Sequence, residues 1–289
     1  MAKSKLEGKK CLVTGVAGFI GSHLADRLVE LGADVYGIDN MYSGYYKNIN
    51  DKVKFTQFDF TDREAVLEYF DVIRPEYVFH LGAWSRMPMC LEDPLGAYQN
   101  NVIGSLNILE QSRKYGVKKV VLSSSCIVYG EETPYKATKV AMEDAAKVYR
   151  TMYGLPTTCF RYANVYGTRQ EVGMDSAMFA MLKDSLNKNG YVTIFGDGEQ
   201  TRDWVHVDDI CRANIHFMES DFEGEIDIAT GRSISLNQII DILGVPAKYI
   251  EKRKGDALHI SLDPEPAKKL GYETTIKFED GIKDVWQKL

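Results

Sequence analysis

The sequence predicts an α/β fold: a doubly wound parallel sheet with a smaller, mostly C-terminal lobe. Three observations lead there. Short β-branched runs alternate with amphipathic helical stretches through the first half of the chain. The strand-like runs hold few charges, as strands covered on both faces must. A glycine-rich turn joins the first strand to the first helix.

In chain order the strand-like runs are "KCLVT", "DVYGID", "VKFTQFD", "EYVFHLG", "KKVVLSSS" and "PTTCFRYAN". Between them "GSHLADRLVEL", "DREAVLEYFDVI", "PLGAYQNNVIGSLNILEQSRKYG" and "YKATKVAMEDAAKVYRTMYG" have helical periodicity. In the last of these, Thr133 suits the N-cap and Pro134 the first helical position. After about Tyr166 the rhythm loosens, with "MFAMLKDSLNKNG" helical and "YVTIFGDGEQTRDW" strand and turn. We expect a first domain over residues 1–165 and a second lobe over 166–289, with stretches near 201–230 returning to the first.

The 289 residues, 45% hydrophobic and 26% charged, are ordinary for a globular chain. A net charge of −6 disfavours nucleic acid and acidic membrane surfaces as partners. An anionic small substrate would need local arginines. The five cysteines (Cys11, Cys90, Cys126, Cys159, Cys211) are scattered and, like the five histidines, lack metal-ligand spacing. We therefore expect no metal and a reducing, cytoplasmic setting. The N-terminal apolar run is broken by glycines and leads directly into a helix, unlike a leader peptide, and no run approaches transmembrane length.

"VTGVAGFIGSHL" spaces Gly15, Gly18 and Gly21 three apart at the strand–helix junction. Such a turn lets a pyrophosphate approach the backbone at a helix N-terminus. The second strand ends at Asp39, eighteen residues past Gly21. A carboxylate there accepts hydrogen bonds from ribose hydroxyls and repels a 2′-phosphate. Asn40 and Met41 follow it, with no arginine, which favours NAD over NADP. Asp59, closing the third strand, is placed to meet the adenine amino group, since Thr61 or Asp62 suits the next helix N-cap better. Together these features predict a Rossmann-like NAD-binding first domain.

Tyr-x-x-x-Lys occurs twice. Tyr115–Lys119 straddles Gly116, where a helix should end. Tyr135–Lys139 instead lies in an unbroken helical pattern, where i and i+4 share a face. That spacing also arises by chance on exposed helices. Its place just after a strand ending "SSS", at the ligand-binding edge of such sheets, favours a working pair.

With the glycine turn, Asp39, "HLGAWS", "SSS…YxxxK" and "RYANVYGTRQ" in view, the chain resembles the extended short-chain dehydrogenase/reductase family, most closely its nucleotide-sugar epimerases. "IFGDGEQTRDWVHVDDICRA" and "RKGDALHISLDPEPAKKLGY" extend the resemblance over nearly the whole chain. It implies NAD-dependent 4-epimerisation of a UDP-hexose, with Ser125, Tyr135 and Lys139 catalytic. A phenol is a poor base at neutral pH, and Lys139 and the nicotinamide charge are expected to favour its phenolate. It implies further cofactor contacts at Phe19, Ile20, Asn40, Phe60, Leu81, Ala83, Ser123 and Tyr162, besides the catalytic Tyr135 and Lys139. Substrate contacts are implied at Ser85, Ser125, Asn164, Arg202, Arg253 and Asp256, the arginines suiting a diphosphate. A homodimer through the helices that start at Pro94 and Tyr135 is also implied.

Related dehydratases carry an Asp–Glu pair after the serine. Here Cys126 and Ile127 follow Ser125, so elimination lacks its usual acid. Related reductase–epimerases use a cysteine nearby. Cys126 is one residue out of step with it, which on an extended strand means the opposite face, and we expect a buried structural thiol. The segment between "VYG" and "PY" is only "EET", shorter than in most relatives, which predicts a more open sugar pocket. The alternatives left open are a nucleotide-sugar dehydratase or reductase and a non-catalytic dinucleotide sensor.

Overall fold

The computed structural model describes residues 4–171, 178–251, 259–260 and 262–289. The elements begin β1 (Lys10–Thr14), α1 (Phe19–Glu30), β2 (Asp34–Asp39), β3 (Lys54–Gln57), α2 (Arg63–Ile73), β4 (Tyr77–His80), α3 (Met87–Glu92) and α4 (Pro94–Tyr98). They continue with α5 (Gly104–Lys114), β5 (Lys119–Ser125), α6 (Pro134–Tyr153), β6 (Thr157–Tyr162), β7 (Asn164–Tyr166), α7 (Met178–Asn189), β8 (Val192–Phe195) and β9 (Thr201–His206). The remainder are α8 (Val207–Glu219), β10 (Gly224–Ile228), β11 (Ser233–Ser235), α9 (Leu236–Leu243), β12 (Ala247–Ile250), β13 (His259–Ile260), α10 (Glu265–Lys269) and α11 (Phe278–Lys288).

Seven strands form one sheet in the order β10-β6-β5-β4-β1-β2-β3. β1 pairs in parallel with both β2 and β4, and the pairs β2–β3 and β4–β5 are parallel too. The strand order therefore reverses at β1, which places a topological switch point at its carboxyl end. Leu12, Ile38, Val78, Val120 and Leu122 from the strands pack with Phe70, Ile108, Met142 and Ala146 from the helices, all buried. This burial explains why the strands read as apolar runs rather than alternating ones.

Local chemistry fixes the helix ends. Asp62 caps α2, accepting from the Glu64 and Ala65 amides. Thr133 caps α6 through the Lys136 amide, Pro134 takes the first turn, and Gly154 closes the helix at φ +68°. The long helix expected from Pro94 is interrupted by a π-helical turn, Gln99–Ile103, between α4 and α5. One extra residue per turn scarcely disturbs an apolar pattern, so the sequence concealed it.

The chain divides into two compact units, residues 1–128, 132–161 and 211–226 in the first and 129–131, 162–210 and 227–289 in the second. In the second, β9 pairs antiparallel with β11 and parallel with β7 and β13, while β8 pairs with β12. Its core is aromatic: Tyr166, Phe179, Trp204 and Phe278 meet at ring centroid distances of 4.9 to 6.3 Å. Among the described residues, no helix is long and apolar enough to cross a membrane.

Candidate active site

Between β1 and α1 the chain reverses through Gly15, whose φ of +68° lies in the left-handed region. A Cβ at Gly15 would sit 2.8 Å from the backbone of Gly82, and one at Gly21 would strike the Gly15 carbonyl. Gly18 is the N-cap of α1, and neither a side-chain cap nor an acidic residue blocks the first turn at Phe19 and Ile20. Backbone, bare amides and helix dipole together suit an anion.

Asp39 ends β2, buried against this turn, where it accepts from the amides of Ala17 (3.0 Å) and Met41 (2.8 Å). Beside it, the Asn40 side chain donates through Nδ2 to Asp59 at 2.8 Å, and the Thr61 backbone amide donates to the same carboxylate at 2.8 Å. Burial opposes the charge of Asp59, but these hydrogen bonds outweigh it and hold the carboxyl below the usual carboxylate range. The Phe60 ring lies against Gly82, where it would be 2.6 Å from an added Cβ.

The segment after β4 is held from beneath. Thr14 Oγ1 accepts from the amides of Leu81 (3.1 Å) and Gly82 (3.0 Å) and lies 2.8 Å from His80 Nδ1. Ser105 donates to the Asn101 carbonyl at 2.6 Å, so it accepts from His80 Nε2 at 2.9 Å, and Thr14 donates to Nδ1. Burial pushes the His80 pKa down to about 3, with the Lys139 charge adding to the effect, so this link is a neutral imidazole. Ala83, Trp84 and Ser85 follow, Ser85 exposed.

β5 ends at Ser125, whose hydroxyl accepts from the Ile127 amide (3.3 Å) and lies near enough to the Tyr135 phenol to lower its pKa. Lys139, one turn further along α6, is buried; its ammonium donates to the Ser123 carbonyl at 2.7 Å and lies 5.9 Å from the Tyr135 ring centre. The fold thus brings Ser123, Ser125, Tyr135 and Lys139 together at the carboxyl end of β5. Burial raises the Tyr135 phenol above its ordinary value, against the lowering effect of Ser125. The same burial brings Lys139 down to about 8. Desolvation therefore outweighs Ser125, and nothing in the chain itself lowers this phenol below its ordinary value.

The other Tyr-x-x-x-Lys pair is dispersed. The Tyr115 hydroxyl turns to Asp71, and Lys119 donates to the carbonyls of Phe217, Ser220 and Phe222. Cys126 is buried, but β5 stops at Ser125 and Cys126–Tyr129 is a 3₁₀ turn. The opposite-face argument for that thiol, which assumed an extended strand, therefore fails. Two residues behind the site, Glu143 and Arg161, were not singled out by sequence. Glu143, one turn past Lys139, accepts from Ser124 (2.5 Å) and from Arg161 Nη2 (2.6 Å) and Nε (3.0 Å), tying α6 to β5 and β6. Its i+4 spacing from Lys139 was the only signal available.

In the second unit, Asn164 begins β7 opposite Trp204 of β9, and Tyr162 closes β6, buried. Arg202 on β9 donates to the Thr201 carbonyl at 2.8 Å. Its neighbour Asp203 faces the other side of the strand, buried, and accepts from Thr230 (2.6 Å) and the Gly231 amide (2.7 Å). Arg253 and Asp256 lie outside the described residues. No group of His, Cys, Asp or Glu among the described residues is arranged to hold a metal.

Residues 11–229 match the NAD dependent epimerase/dehydratase family. The chain belongs to that family. A family relative, the UDP-glucuronate 4-epimerase of Thermodesulfobacterium geofontis, is 34% identical, covering 94% of this chain and 93% of its own. The crystal structure of UDP-glucose 4-epimerase with UDP-glucose from Thermotoga maritima superposes with a TM-score of 0.92 at 38% identity, over 96% of this chain and 97% of that one. UDP-glucose 4-epimerase from Thermus thermophilus in complex with NAD has a TM-score of 0.87 at 31% identity, over 96% and 98%. The family's cofactor fits the residues present: at Gly15 and Gly21 any side chain would strike backbone, and no arginine follows Asp39 to receive a 2′-phosphate.

Proposed function

We propose that the protein is an NAD-dependent nucleotide-sugar 4-epimerase acting on a UDP-hexose. The observation that supports this best is the cluster of Ser125, Tyr135 and Lys139 with no carboxylic acid after the serine. Held by the glycine turn and Asp39, NAD would supply reversible hydride chemistry at the sugar carbon. Tyr135 then has one task, to take the proton from the sugar hydroxyl and give it back. Ser125 orients that oxygen, and Lys139, anchored on Ser123, supplies positive charge beside the phenol. Because burial raises the phenol's pKa, full activation of Tyr135 needs the cofactor's charge as well.

In this reading Gly15, Gly18, Phe19, Ile20, Gly21, Asp39, Asn40, Asp59, Phe60, Leu81, Ala83, Ser123 and Tyr162 hold the dinucleotide. Ser85, Asn164, Arg202, Arg253 and Asp256 hold the nucleotide-sugar, residues 166–289 supplying most of that lobe. The five cysteines, buried and in no disulfide, accord with a cytoplasmic protein. Exposed Leu91, Leu95, Tyr98 and Ile103 on α3, α4 and the π turn, with Val148 and Met152 on α6, supply an apolar face for a homodimer.

The test is incubation with a panel of UDP-, GDP-, CDP- and dTDP-sugars followed by NMR. We expect a 4-epimer of a UDP-sugar without net NADH, abolished by Tyr135→Phe. Solvent deuterium at C5 would mean dehydration or 3,5-epimerisation instead, and no turnover a sensor.

A further inference from the structure

β1 lies between β4 and β2, so the loops that follow β4 and β2 flank the glycine turn on either side. A stacked aromatic pair joins these loops: the Tyr42 and Trp84 rings lie 5.6 Å apart at an interplanar angle of 18°. A bridge between them must cross the end of β1, where the dinucleotide's pyrophosphate approaches.

The two ends of the bridge differ in how firmly they are held. Trp84 is the fixed post. Its amide donates to Asn101 Oδ1 at 2.7 Å and its carbonyl accepts from Asn101 Nδ2 at 3.0 Å. The neighbouring Asn100 accepts from the same amide at 3.2 Å, so the π turn directs two successive side chains at one residue. The indole also rests on Gly96, where an added Cβ would lie 2.7 Å from Cη2. Tyr42 is the looser end, 48% exposed. Its loop is pinned on both sides of it, by the Met41 amide on Asp39 and by the Tyr45 amide and Asn48 side chain on the Ala17 carbonyl, each at 3.1 Å for the latter two. Only the ring has to swing.

We propose that Tyr42 and Trp84 form a strap across the dinucleotide turn, which parts to admit the cofactor and closes to retain it. Retention matters to a reaction whose hydride must return to the sugar it came from. The inference rests on dinucleotide binding by this family and not on the identity of the sugar.

The test is stopped-flow fluorescence of NADH binding and release, without sugar, for the wild type and for Tyr42→Ala, Tyr42→Phe, Trp84→Ala and the double alanine variant. Loss of one aromatic stack corresponds to about 2- to 12-fold in rate. We expect both alanine variants to bind and release NADH faster by that factor, Tyr42→Phe to match the wild type, and the double variant to be no faster than the singles. Unchanged release in Tyr42→Ala, equal acceleration in Tyr42→Phe, or multiplied effects in the double variant would overturn the strap. If Trp84→Ala fails to fold, Tyr42→Ala against Tyr42→Phe still decides. A wild type that binds no NADH would refute the dinucleotide site itself, a separable result.

Discussion

Replacing Glu143 by glutamine asks whether the face of α6 that presents Tyr135 and Lys139 is held by the ion pair behind it. The carboxylate receives Ser124 and a forked Arg161, with side-chain exposures of 9% for Glu143 and 24% for Arg161. Removing one member of a buried pair typically costs about 3–5 kcal/mol. Glutamine keeps the shape and one acceptor, and Arg161 reaches some water, so we expect a loss of about 2 kcal/mol. In thermal unfolding that is a fall of about 4–8 °C. Activity should fall about tenfold, mainly in kcat, as Tyr135 and Lys139 lose their register with Ser125. Glu143→Met with Arg161→Met, which removes both charges, should lie closer to the wild type in stability than Glu143→Gln. A Glu143→Gln protein within about 0.5 kcal/mol of wild type, the spread of ordinary surface substitutions, would refute the reasoning.

Lys139→Met should inactivate the enzyme yet stabilise it at pH 7 by about 1–3 kcal/mol, read by denaturant unfolding. Burial holds the folded lysine near 8, while the unfolded chain keeps its proton to its ordinary, higher value. The unfolded state therefore binds more protons between those values, the full cost is present below about 8, and wild-type stability should rise with pH through that window. The variant should lose that rise. Tyr166→Phe should stabilise by about 1 kcal/mol, because its buried hydroxyl has no hydrogen-bond partner among the described residues. Gly281→Ala, whose Cβ would strike that hydroxyl, should destabilise, and calorimetry on both variants checks the pair. Leu95→Asp with Met152→Asp should shift the protein to monomer in sedimentation, with the secondary structure unchanged.

The sheet was legible because its signals are local: apolar strands, a glycine turn whose backbone tolerates no side chain, and Thr133 with Pro134 opening α6. The Tyr135–Lys139 pair could be told from Tyr115–Lys119 for the same reason, since Gly116 marks a helix end in the sequence itself. What escaped the sequence depends on groups that meet only in three dimensions. Ser124 binds Glu143, nineteen positions away, a partner no local spacing announces. The protonation of Tyr135 turns on burial, which no spacing reports. The π turn and the Asn101–Trp84 clamp left no periodic trace. The short strands of the second unit offer too few residues each to declare a period.

The five changes of unit along the chain have a consequence for how the protein is made. β10 lies at one edge of the seven-stranded sheet, yet it is synthesised after β7, β8 and β9, which belong to the other unit. On the ribosome the first unit must wait, with the flank of β6 uncovered, until residues near 226 emerge. Neither unit can be obtained by simple truncation, because each is assembled from three separate stretches of the chain.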